Sequence, residues 1–211
     1  MDGQCSISEA NQTSDSIRRG FNITAHVRTL CVDVTKRLPE MAHIDMTRVA
    51  VAFCQARKRV SHGMYASLTP MRFERGSLYT ARHGRGYTCQ RLYDTQGREF
   101  LYILSIYLPR FMDCPFKEKL VTIFHELWHI NPEFDGDIRR HGGRCHVHSH
   151  SQKEYDTHME QMVDDWLWRS PPEYLYNFLR LRFDELYRRH GPVYGNKIPN
   201  PKLIPVDTEI S

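Results

Sequence analysis

The chain has 211 residues, 40% of them hydrophobic and 26% charged, with a formal net charge of +4. That length and balance suit one globular domain able to bury a core. No run of about 18 apolar residues occurs, which excludes a helical membrane span, and so small a net charge does not demand a nucleic-acid partner.

Residues 1 to 20 are rich in Ser, Asn, Gln and Asp and read as a flexible arm. The start, Met1-Asp-Gly-Gln-Cys5, lacks the basic and apolar pattern of a signal peptide, so a cytoplasmic location is expected. The six cysteines stand singly, with no Cys-x-x-Cys pair, and are expected to be reduced thiols. From Ile23 to Leu38 apolar residues recur at helical spacing until Pro39. Strands are expected at Val49–Phe53 and across Tyr65–Phe73 despite Pro70. Two more, Tyr87–Tyr93 and Phe100–Leu108, flank the hairpin connector Asp94-Thr-Gln-Gly97. Phe100–Leu108 is almost continuously apolar, so both its faces should be covered.

A helix should follow from Phe116 to Ile130. A second should start at Ser151, where Ser151-Gln-Lys-Glu154 forms a capping box. A third should run from Ser170, through Ser170-Pro-Pro-Glu173, to Gly191. The expected organisation is one domain over residues 21–191, with residues 192–211 as an extended tail. The fold class is α+β: a mostly antiparallel sheet on the Phe116–Ile130 helix, with further helices C-terminal.

The chemistry concentrates in His125-Glu-Leu-Trp-His129. Histidines four apart on a helix share a face, one turn above the other, where two imidazoles can hold one tetrahedral Zn2+. Glu126, about 100° around the helix, need not ligate. It can take a proton from a zinc-bound water, whose pKa the metal lowers to about 7. The stripe Leu120, Ile123, Phe124, Leu127 and Ile130 centres on the opposite side, so one face should anchor in the core and the other point into a cleft.

A catalytic zinc needs a third protein ligand and one open position. His150, directly before the Ser151 cap, is the favoured candidate. His148 lies on the same face as His150 if Cys145–His150 is extended. His141 sits in the flexible Arg139-Arg-His-Gly-Gly143, and Asp135 lies where a metzincin's third ligand falls, although its plainer reading is an Asp-Gly turn. A carboxylate from Glu154, Asp156 or Glu160 is a further option. Arg139, Arg140 and Arg144 are expected to pair with Asp135 and Asp137 and hold the loop.

The functional expectation is a zinc metallopeptidase, a hydrolase acting on protein or peptide substrates, with the Phe100–Leu108 strand aligning the substrate by its edge. The alternative is a nucleic-acid-associated binding protein with a structural zinc site closed by four ligands. Its basic surface would use Arg57-Lys-Arg59, Arg72, Arg75, Arg82, Arg85 and Arg91. Arginine supplies 22 of the 29 basic residues, which suits phosphate or carboxylate recognition.

Tyr107-Leu-Pro-Arg-Phe111, His125-Glu-Leu-Trp-His-Ile-Asn-Pro132, Phe134-Asp-Gly-Asp137 and His148-Ser-His-Ser-Gln-Lys-Glu-Tyr-Asp156 resemble the putative phage metallopeptidase family. The chain is similar, more distantly, to SprT-like proteases and other small zincins, and the match covers about residues 50 to 170. The resemblance implies a compact zincin fold with a strand lining the cleft, a bound zinc, and Glu126 as catalyst. It also implies a third ligand at the start of the following helix, which favours His148 or His150.

Overall fold

In the computed structural model, residues 20–56, 63–140 and 152–206 are described, those at 152–156 by their backbone only. The expected N-terminal arm, except Gly20, and the basic run Arg57-Lys-Arg59 lie outside them.

A two-residue strand β1 (Phe21–Asn22) leads into α1 (Ile23–Arg37), where the Asn22 side chain accepts the Ala25 N–H as an N-cap. Ile23, Val27, Leu30, Cys31 and Val34 are buried along one face, and the chain leaves the helix at Leu38, just before Pro39. The central sheet has the order β2–β6–β3. Strand β2 (Val49–Gln55) runs parallel to β6 (Tyr102–Leu108), and β3 (Ala66–Pro70) runs antiparallel to it.

Leu104 and Ile106 of β6 pack into the main core with α1 and α3, while Ile103 joins a smaller cluster with Ala50, Ala52 and Met71 on the other face. Coverage of both faces is therefore as its apolar run predicts. Its edges are also taken, by β2 and β3, so the expectation that Phe100–Leu108 offers a pairing edge is corrected.

A second sheet joins β4 (Tyr79–Arg82), β5 (Arg85–Cys89) and β8 (Leu203–Val206), and β7 (Val193–Tyr194) pairs with β1. The chain beyond Pro192, without periodicity in sequence, thus supplies two strands. The Asn196 carbonyl also accepts the Phe53 N–H, covering the outer edge of β2. The expected hairpin around Asp94–Gly97 survives only as a tight turn closed by a single bridge, Tyr93 to Glu99. Its flanking segments belong to different sheets, because β5 finds its partners in β4 and β8.

After a short helix α2 (Arg110–Asp113) come α3 (Phe116–Trp128) and α4 (Gln152–Trp168), which pack on each other. The third expected helix breaks into 3-10 turns at Glu173–Leu175 and Asn177–Arg180, then α5 (Phe183–His190), which Gly191 ends. Packing explains the break. Lys119 of α3, almost wholly buried, donates through Nζ to the Leu179 and Leu181 carbonyls at 2.8 Å each, so these carbonyls point away from a continuous helix. Burial pushes the Lys119 ammonium down to about 8.

Glu99 holds two arginines. It accepts from Arg91 Nε at 2.6 Å and Nη2 at 2.8 Å, and from Arg72 Nη2 at 2.6 Å. Hydrogen bonds from Arg91 and Arg72 outweigh burial and hold its carboxyl down at about 2. The folded value lies below the unfolded one of about 4.3, so this stabilisation is present above that pH and is lost as pH falls toward the folded value. Glu99→Gln is expected to cost about 2 kcal/mol at neutral pH, because it leaves Arg72 buried without its counter-charge. Urea unfolding at stepped pH values checks this: the gap between wild type and variant should shrink under acid, and an undiminished gap at pH 2 would contradict the assignment.

Candidate functional site

Helix α3 carries the histidine pair as its periodicity predicts. Leu120, Ile123, Phe124, Leu127 and Ile130 are all fully buried, and His125 and His129 lie half-exposed on another side. Their rings meet edge-on, with centroids 4.6 Å apart and planes at 79°. Two imidazoles on adjacent turns with this separation fit a shared small cation, and an imidazole pair suits zinc. His129 is the C-cap residue, the last position at which the helix controls its backbone.

Glu126 turns toward the sheet. Its carboxyl is pushed up to about 7 by burial, against the opposing pull of a hydrogen bond from the Leu68 backbone N–H. A bound cation would draw it back down. The Leu68 contact follows from register. Tyr107 N–H donates to the Tyr65 carbonyl and Met71 N–H to the Leu101 carbonyl, so the odd-numbered residues of β3 spend their backbone groups on β6. Ala66, Leu68 and Pro70 therefore face the other edge, which no strand pairs among the described residues. Pro70, lacking an N–H, is tolerated on such an edge.

Past His129 the chain turns back on the helix end. Asp135 accepts from Asn131 Nδ2 and from the Asp137 N–H, both at 3.0 Å. Gly136 takes φ 93° against Arg72, where a Cβ would lie 2.5 Å from Arg72 Cγ, so only glycine fits. Asp137, 3% exposed, accepts the Arg75 and Ile138 N–H groups and a two-pronged bond from Arg140. Tyr102 Oη donates to the Asp137 carbonyl and accepts the Gly136 N–H, which pins this turn to β6.

The expected Arg140–Asp137 pair is present, but Arg139 acts elsewhere. Its N–H donates to the His129 carbonyl at 2.7 Å, its Nε to the Trp128 carbonyl at 2.9 Å, and its guanidinium lies 3.9 Å from the centre of the Trp128 ring. An open pocket of about 560 Å³ lies beyond the helix end, bounded by Arg75, Asn131, Glu133, Asp135, Arg139 and Arg140. Nearby, burial first and the Arg139 charge second lower the pKa of His43.

Among the described residues, no group of three or more His, Cys, Asp and Glu stands close enough to hold a metal ion. Asp135 is engaged in its turn. His141, Arg144, Cys145, His146, His148 and His150 lie outside the described residues, as do the side chains of Glu154 and Asp156. Glu160 is exposed and 3.6 Å from Lys117 Nζ, at the opposite end of α3 from His129. The supposed basic surface is partly consumed, since Arg72 and Arg91 both bind Glu99.

Neither the Leu68 amide nor the Arg139 cap was visible in sequence. The first depends on a strand register and the second on a turn that returns the chain to the helix end.

No curated protein and no solved structure matches the chain. The family model described as Putative phage metallopeptidase matches residues 21–166, which includes every element from β1 to most of α4. The chain belongs to the putative phage metallopeptidase family.

Proposed function

We propose that the chain is a zinc-dependent peptidase in which His125 and His129 hold the metal and Glu126 is the general base. The observation that carries this reading is the placement of the Glu126 carboxyl. It sits one residue from the first histidine, half-buried and beside the Leu68 backbone of β3. A general base must be poised near neutrality, and partial burial beside the strand supports that.

His150 is the third ligand in this proposal, with His148 and His141 as alternates. Asp135 is less suited, because its carboxylate already closes the Asn131–Asp137 turn. Zinc, when bound, supplies Lewis acidity toward the scissile carbonyl and the attacking water. Glu126 removes a proton from that water and returns it to the leaving amine.

An extended peptide aligns along the open edge of β3, using the backbone groups of Ala66 and the Leu68 carbonyl. The Leu68 backbone lies beside Glu126, so the strand that orients the substrate also flanks the base. The pocket beyond His129 gives room for neighbouring substrate residues.

The chain loaded with zinc is expected to cleave an unfolded protein such as denatured casein, to stop on chelation, and to recover with added zinc but not magnesium. Gel or mass analysis of the products checks this. A zinc-loaded chain that cleaves neither unfolded nor folded proteins would speak for a structural metal instead.

A further inference from the structure

We infer that Arg139 is a positioning residue for His129, holding the last turn of α3 in the shape that the histidine pair requires. The inference rests on the metal-site reading above, but it concerns a side chain outside the His-Glu-x-x-His motif.

A helix end is a poor place for a metal ligand. Its last carbonyls lack intrahelical partners, and its final turn frays unless something satisfies them. His129 is the C-cap residue, with φ −66° and ψ −15°, and its own N–H reaches back to the His125 carbonyl. Any unwinding there would separate the two imidazoles.

Arg139 opposes this in three ways. It satisfies the Trp128 carbonyl through Nε and the His129 carbonyl through its backbone N–H, two consecutive acceptors at the helix end. Its cation sits at the negative end of the helix dipole. It also lies over the Trp128 ring, 3.9 Å from the centroid. Trp128 in turn meets His158 of α4 edge-on at 4.9 Å.

The bridge between Ile130 and Ile138 fixes the register in which Arg139 arrives. The final turn is thus tied to both the returning loop and α4.

The test is zinc affinity, measured by competition with a chromophoric chelator. Removing an outer partner of a metal ligand weakens metal binding by about 10- to 100-fold. Arg139→Ala should fall in that range, and its cobalt-substituted form should show an altered visible spectrum. Arg139→Lys keeps the charge but loses the planar fork, and should recover only part of the affinity.

Asn22→Ala, which removes the α1 cap at a remote end, serves as the stability control. It should lower the melting midpoint by about 2–4 °C and leave zinc affinity at the wild-type value. Wild-type affinity and cobalt spectrum in Arg139→Ala would overturn the inference, as would an equal loss of affinity in Asn22→Ala. If Arg139→Ala does not fold, Arg139→Lys decides: weakened zinc binding supports the role and unchanged binding overturns it. A wild-type chain that binds no zinc would defeat the underlying metal-site reading as well, whereas normal zinc binding with indifference to Arg139 defeats this inference alone.

Discussion

Glu126→Gln is expected to leave the chain folded and zinc-loaded while lowering peptide hydrolysis by a factor on the order of 10² or more. The amide keeps the size of the carboxylate and retains an oxygen that can accept a hydrogen bond. What it loses is the ability to take a proton from water. The carboxyl is half-buried, and replacing it with a neutral group adds no unpaired charge there. Folding should therefore be preserved or slightly improved. Side-by-side measurement of melting, bound zinc and turnover separates the roles. Wild-type turnover in the variant would refute Glu126 as base, and loss of zinc would recast it as a ligand.

The second large effect is expected at His125. Its replacement by Ala removes a direct donor and leaves His129 and the third ligand to hold the metal. Disturbing an outer partner already weakens binding by about 10- to 100-fold, so loss of the ligand itself should cost on the order of 10² or more in zinc affinity. The helix should survive, because the substituted side is not its core face. Leu120, Ile123, Phe124 and Leu127 remain buried, and Ala is the best helix former. Metal analysis after dialysis should find wild type near one zinc per chain and His125→Ala largely empty. A variant that keeps its zinc would remove His125 from the site. His150→Ala, His148→Ala and His141→Ala, compared in the same assay, should identify the third ligand.

The α3 motif was legible in sequence because helical periodicity is local. Residues three and four apart must share a face, so the apolar stripe and the histidine pair could each be placed without knowing the rest of the fold. The same local logic found α1, whose apolar spacing starts at Ile23 and stops before Pro39. It failed for the third expected helix, where helix-compatible residues were drawn into 3-10 turns whose carbonyls serve the buried Lys119. It failed again at Asp94–Gly97. The turn sequence there is a good hairpin connector, but long-range partners assign its flanking segments to different sheets.

Sequence alone thus determined the amphipathic helix, the proximity of His125 and His129, and the family resemblance carried by residues around them. Tertiary structure alone decided which strand edge no described strand pairs, that Leu68 lies beside Glu126, and that Arg139 rather than a nearer residue caps the helix end. The physical reason is the range of the interactions. Helix faces follow from spacings of three and four residues, whereas strand order, register and the return of a loop depend on contacts between segments far apart in the chain, which no short window of sequence contains.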